Sequence, residues 1–157
     1  MNRWVATGVM TLALASSPVS ADERVLVEMP PMMQEHMLAN MRDHLAAIDE
    51  ILRLLASERG DEAAEVAETR LGMSSMNAHG ADHMAPFMPQ AMRETGTAMH
   101  RAASRFARTA EEGGVLEAYA RLGDVTATCV ACHALFRELS SPTSNPSARI
   151  LLFFLAS

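Results

Sequence analysis

Cys129 and Cys132 are the only two cysteines in the chain and His133 follows at once, so residues 129–133 read Cys-Val-Ala-Cys-His. Two thiols at this spacing stand about one helical turn apart. Each can add across a vinyl group of one haem, while the adjoining imidazole reaches the iron from the same turn. The spacing therefore predicts a covalently attached haem c, with Cys129 and Cys132 as the attachment points and His133 as an iron ligand.

Other uses of a Cys-x-x-Cys pair ask for surroundings that this sequence lacks. Thiol–disulfide exchange favours a βαβ setting, but Val115 to Leu139 is helical in period and no strand–helix alternation occurs anywhere in the chain. A structural zinc site needs a second pair of Cys or His ligands, and the other histidines are scattered. A disulfide between residues this close in a helix closes little loop entropy and is strained.

The compartment agrees with haem attachment. Met1-Asn2-Arg3 is a short basic start, Trp4 to Ala15 is an apolar run, and Val19-Ser20-Ala21 ends in small residues before Asp22-Glu23. Residues 1–21 therefore read as a secretory signal peptide, shorter in its apolar part than the ~20 residues that span a bilayer. The expected location is the periplasm. Every basic side chain is Arg, and losing Arg3 with the leader, which carries no acidic residue, takes the formal charge from −6 to −7. Such a surface offers nothing to nucleic acid and suits a redox partner with a positive face.

Strong helix formers dominate and predict an all-α fold. The first helix opens at Pro30-Pro31 and carries Met37, Met41, Leu45, Ile48, Leu52 and Leu55 at three-to-four spacing up to Gly60. The second runs from Glu62 to Leu71, with Asp61 as its expected cap and Gly72 as its stop. The third starts near Pro89 and carries Met92, Met99, Ala103, Phe106 and Ala110. The fourth carries Val115, Ala118, Leu122, Val125, Cys129, His133 and Phe136 and ends at Ser140-Ser141-Pro142. Short breaks between amphipathic helices predict an antiparallel four-helix bundle over residues 22–140 with one covalently attached haem.

A C-terminal Cys-x-x-Cys-His followed by an aromatic and an arginine, here Phe136 and Arg137, on the last helix of a secreted four-helix chain resembles the class II c-type cytochromes: cytochrome c prime and its low-spin relatives. The resemblance extends from about Met32 to Leu139 in helix order, and its specific part is the last helix. It implies thioether links at Cys129 and Cys132, His133 as the proximal iron ligand, and Arg137 close to the proximal pocket. It also implies a division of function at the sixth iron position. Low-spin members place a Met there and transfer electrons, whereas high-spin members block it with an apolar side chain and bind diatomic gases.

Helix one decides which branch this chain follows. Taking Leu45, Ile48, Leu52 and Leu55 as its core direction puts Met41 near the centre of that face, Met37 inside its edge and Met33 outside. An antiparallel first helix meets the end of the fourth with its early turns, so Met37 is the first choice for the axial sulfur and Met33 the second. The expected function is periplasmic electron transfer, with gas binding as the alternative. No nucleophile–base pair or paired acids accompany the haem motif, so a carrier is expected and not an enzyme.

Two segments fall outside the resemblance. Met73, Met76, His79, His83, Met84, Met88 and Met92 are richer in soft ligands than a connection requires, and could hold Cu(I) as a Met/His-rich module. The preferred reading is an irregular flap whose Met side chains cover the haem edge, with His79 and His83 in solvent. Residues 141–157 form a Ser/Pro linker and a short apolar tail, Ile150 to Leu155, which could dock on the bundle, touch lipid or pair two copies.

Overall fold

The computed structural model describes residues 22–138. Residues 1–21, read above as a signal peptide, and residues 141–157, read as a linker and apolar tail, lie outside the described residues. The chain is mostly helical, with one small two-stranded sheet. In chain order the elements are β1 (Val25–Val27), α1 (Pro31–Ala56), α2 (Gly60–Arg70), a 3-10 turn (Met73–Ser75), α3 (Ala81–Met84), a second 3-10 turn (Ala85–Phe87), α4 (Gln90–Glu111), α5 (Val115–Leu135) and β2 (Phe136–Glu138). Among the described residues no helix is long and apolar enough to cross a membrane.

Prolines start both helices that the sequence marks with them. Pro30 is extended and its carbonyl accepts from the amides of Met33 and Gln34, while Pro31 occupies the first helical position, where its missing N–H costs nothing. Pro89 does the same for α4 through Met92 and Arg93. The start of α2 differs from expectation. Asp61 does not cap it; the helix begins two residues earlier, at Gly60, and Arg59 pairs with Glu62. Gly60 is needed there because a Cβ would stand 2.7 Å from the carbonyl oxygen of Ala110 at the end of α4.

Each long helix packs closely on the next: α1 on α2, α2 on α4, α4 on α5. The inner face of α2 is Ala63, Ala64 and Ala67, all buried, and these small side chains let its neighbours approach. Ile51, Leu54 and Leu55 of α1, Phe106 of α4 and Leu122 and Val125 of α5 complete this core. A second cluster lies apart from it, built from Val27, Met37, Met84, Met92 and Phe136, with Met29, Met33, Met41, Met88 and Cys132 packed against it.

The buried face of α1 is turned from the one expected. Leu45 is 72% exposed and Leu52 42%, whereas Ala47, Ile51 and Leu54 are buried; of the expected face, Leu55 is buried and Ile48 packs against the core. The Leu spacing gave the wrong direction because α1 must meet the alanine face of α2, and small residues at 47 and 63 allow that approach. The same rotation carries Met37 inward to 8% exposure and leaves Met41 half-buried.

The last helix also ends earlier than expected. Phe136 to Glu138 form a strand, not helix, and pair in parallel with Val25 to Val27, Val25 opposite Phe136 and Val27 opposite Glu138. β1 leads into the first turns of α1, and β2 leaves the end of α5. The ladder therefore fixes the start of α1 beside the end of α5.

Candidate functional site

Beyond Val125 no residue of α5 is buried, although this half of the helix carries Cys129, Val130, Cys132 and Leu135. Val130 and Leu135 are among the exposed large apolar residues. Beside this half lies a cavity of about 460 Å³ lined by Cys132, His133, Phe136, Arg137 and Glu138 from the end of α5 and β2, by Met37, Leu38, Met41 and Arg42 from α1, and by Met88, Met92, Gly96 and Arg24. That size falls within the range of small-molecule and cofactor sites.

Of the residues singled out in the sequence, the structure brings Cys132, His133, Arg137 and Met37 to this one cavity. Cys129 and Met33 do not line it. Cys129 is half-buried one turn back, packed against the main core, with its thiol 3.5 Å from the carbonyl oxygen of Val125. Met33 packs at the edge of the methionine cluster. Both cysteines are free thiols. Burial raises the pKa of each, and for Cys132 the charges of Cys129 and Glu138 add to the effect.

The polar rim is cationic but for one carboxylate. Arg24, Arg42 and Arg137 line the cavity. Arg24 and Arg137 both meet Asp22, at 2.7 and 3.6 Å, and these contacts, the Arg24 hydrogen bonds foremost, hold its carboxyl down at about 2. Arg137 Nε is buried without a hydrogen-bond acceptor, and both carboxylate oxygens of Glu138 are buried without a donor. Burial raises the pKa of Glu138, which favours its neutral, proton-donating form. Orphaned polar atoms in a cavity wall are a feature that a polar guest satisfies.

A second cavity of about 210 Å³ adjoins the first and shares Met37, Met41, Met88 and Gly96 with it. Into it project His44 of α1, His79 from the connection before α3, and His100 of α4. Their ring centroids are 4.7 Å apart for His44 and His79, 5.5 Å for His79 and His100, and 5.9 Å for His44 and His100. His79 is thus half-buried and not in solvent as expected; of the pair, His83 alone is exposed. The His79 carbonyl accepts from His36 Nε2 at 2.8 Å and from Asn40 Nδ2 at 2.9 Å, which ties the connection to α1. The backbone turns back at Gly80, whose φ of 64° suits glycine. Burial, then the neighbouring His79 and His100, pull His44 down to about 4, and burial lowers His79 and His100 as well.

The soft ligands of this connection do not assemble on their own. Met84 is buried in the methionine cluster, Met73 is exposed, and His79 meets histidines from two other elements. Among the described residues no set of three or more His, Cys, Asp and Glu already stands in metal-holding geometry. Sequence reasoning missed His44 and His100. The available signal was periodic: His44 lies seven residues from both Met37 and Ile51, on the buried row of α1.

Comparison of the chain with protein-family models, curated proteins and solved structures gave no match.

Proposed function

We propose that the four long helices act as an antiparallel four-helix bundle around one covalent haem c, and that the protein is a periplasmic electron carrier similar to the low-spin class II c-type cytochromes. The observation that carries this reading is the convergence of Cys132, His133 and the buried Met37 on one cavity, although 95 residues separate Met37 from Cys132. The unburied half of α5 supports it further: an apolar helix end beside an apolar cavity is covered when a large flat cofactor enters.

The residues fit the group. Cys129 and Cys132 would hold it covalently, Cys129 after turning its thiol away from the Val125 carbonyl. His133 would bind the iron from α5 and Met37 from α1, with Met33 next along the same helix. Arg24, Arg42 and Arg137 would meet the haem carboxylates, giving Arg137 Nε the acceptor it lacks. Met41, Met88 and Met92 would pack on the ring and exclude water. When bound, haem c supplies a one-electron couple, which a thioether ligand shifts toward the reduced state. The acidic surface would receive a partner with a positive face.

Denaturing electrophoresis of protein matured in a host with c-type assembly machinery tests the attachment. Haem should migrate with the wild-type polypeptide, with a mass increase of one haem per chain, and should be lost when both cysteines are replaced by Ala. Wild-type protein free of bound haem under those conditions would falsify the reading.

A further inference from the structure

The three histidines of the second cavity are more than buried core residues, because their hydrogen bonding is incomplete in a way that points to a guest. His100 Nδ1 lies 2.7 Å from the Leu71 carbonyl oxygen, which can only accept. The proton therefore sits on Nδ1, and Nε2 keeps its lone pair. The Ser75 hydroxyl gives its one proton to the Gly72 carbonyl at 2.7 Å, so it has none to offer His79 Nδ1, 3.4 Å away; in the tautomer with the proton on Nε2, that nitrogen keeps an unpartnered lone pair. His44 Nε2 and His79 Nδ1 face each other at 3.4 Å, a separation too long for a good hydrogen bond.

That separation does match two donors on one ion. Imidazoles bound to a single metal at ~2.0–2.1 Å place neighbouring nitrogens roughly 3.3–3.5 Å apart and ring centroids roughly 5–6 Å apart. His44 Nε2 and His79 Nδ1 already stand at the first spacing, and the three rings, at 4.7 to 5.9 Å, are close to the second. We infer that His44, His79 and His100 form a binding site for one reduced copper ion, with His100 completing it through Nε2 after a side-chain adjustment.

The surroundings choose the ion. The remaining wall includes Met76, Met84 and Met99, whose thioethers favour Cu(I) over harder cations. Asp82 is the one carboxylate lining the cavity, and it is exposed; Asp43, next to His44, is held by Arg70. The site is also braced. The Leu71 carbonyl fixes the His100 tautomer, and His36 and Asn40 anchor the backbone of His79, an arrangement of outer partners that orients histidine ligands at metal centres. Burial keeps the rings neutral near pH 7, the form that binds metal.

The test uses the mature chain with Cys129 and Cys132 replaced by Ser, so that no thiol competes for the ion, stripped of metals by chelator and titrated anaerobically with Cu(I) against a competing chelator. Copper per polypeptide is counted by elemental analysis after desalting. The expected result is one equivalent. His44→Ala and His79→Ala should each weaken binding by more than about 100-fold, since even outer partners of metal ligands are worth ~10–100-fold. His83→Ala, in the same connection but exposed, should bind as this parent does. His100→Ala also removes a buried hydrogen bond, so far-UV circular dichroism must show unchanged helix content before its loss of copper is scored; His44→Ala carries the test if it does not. Stoichiometric copper retained when His44→Ala and His79→Ala are combined in this thiol-free parent, no binding by the parent itself, or tighter binding of Zn(II) than of Cu(I) would each overturn the inference. The site does not depend on the haem reading, because the measurement counts copper on the chain and does not use the haem spectrum.

Discussion

Replacing Met37 by Ala separates electron transfer from gas binding and has a stability cost that follows from the structure. Met37 is 8% exposed, packs in the methionine cluster and lines both cavities. Truncating a buried Met to Ala costs ~2–5 kcal/mol, and the cost grows with the cavity left behind. Here one side of the residue already faces open volume, so fewer contacts are lost and the low end, ~2 kcal/mol, applies. For a chain of this size that lowers the melting midpoint by roughly 5–10 °C. Met33, at the margin of the cluster, should cost less than ~1 kcal/mol when truncated. If Met37 is the sixth ligand, oxidised wild type is low spin and the Ala variant high spin, and only the variant takes up carbon monoxide rapidly when reduced. Optical spectra of both oxidation states and a thermal melt read all of this. A wild type already high spin and open to carbon monoxide would mean that the methionines are packing and that gas binding is the function. A low-spin variant unchanged in spectrum would remove Met37 as the ligand, however well the melt agreed.

Gly60→Ala places a Cβ 2.7 Å from a backbone oxygen of α4 and should cost ~1–3 kcal/mol by chemical denaturation, whereas Gly123→Ala, with nothing within 4 Å in α5, should stabilise by up to ~1 kcal/mol. Leu45→Ala, at an exposed position of α1, should change stability by less than ~0.5 kcal/mol; a loss above ~2 kcal/mol would mean the helix face was assigned wrongly. In metal-free protein, His44 falls from 6.5 to about 4 on folding, so the unfolded chain binds the extra proton. Stability is complete above pH 6.5 and is lost as pH falls towards 4, by at most ~1.4 kcal/mol per pH unit from this group, and denaturation of His44→Gln across that window should show a shallower slope. Amide exchange should protect residues 115–125 with or without haem, and residues 126–135 only when haem is attached; equal protection of both halves in the haem-free chain would contradict the packing described above.

The helices were readable because their limits are local. Pro30-Pro31, Pro89, Gly72 and Gly113-Gly114 act within a few residues, and the starts of α1 and α4 fall where the prolines put them. The rotation of α1 was not readable, because it depends on the alanine face of a neighbouring helix and not on the Leu row of α1 itself. The β1–β2 pair was hidden for a related reason: three residues are too few for alternation to register, and Val25 finds its partner at Phe136, far along the chain. The cysteine–histidine motif is legible because its side chains lie within about one turn of α5, and the structure brings Cys132 and His133, though not Cys129, to the cavity. The histidine cluster draws one member from each of three elements, and spacing within one segment cannot announce that. His79 was noticed, but with the wrong neighbours.

These observations share one cause. The main core is filled by α2 and by the halves of α1, α4 and α5 that face it, and apart from Met99 it uses Ala, Val, Leu, Ile and Phe, residues with few alternative shapes. The other end is lined almost wholly by Met, which adapts to whatever it touches, and there α1 and α5 are fastened by the short β ladder. A chain that had to pack this end with its own side chains would gain stability from branched residues at 37, 41, 88 and 92. Flexible thioethers at those positions, beside an Arg137 Nε and a Glu138 carboxylate without hydrogen-bond partners, instead suit an end of the molecule whose core is completed by a guest, as the haem proposal has it. Because a ligand that binds only the folded state adds its binding energy to folding, such an end is stable when loaded and loose when not. On the haem proposal, the division between a self-sufficient core and a guest-dependent one follows, Met99 apart, the line between rigid and adaptable apolar residues.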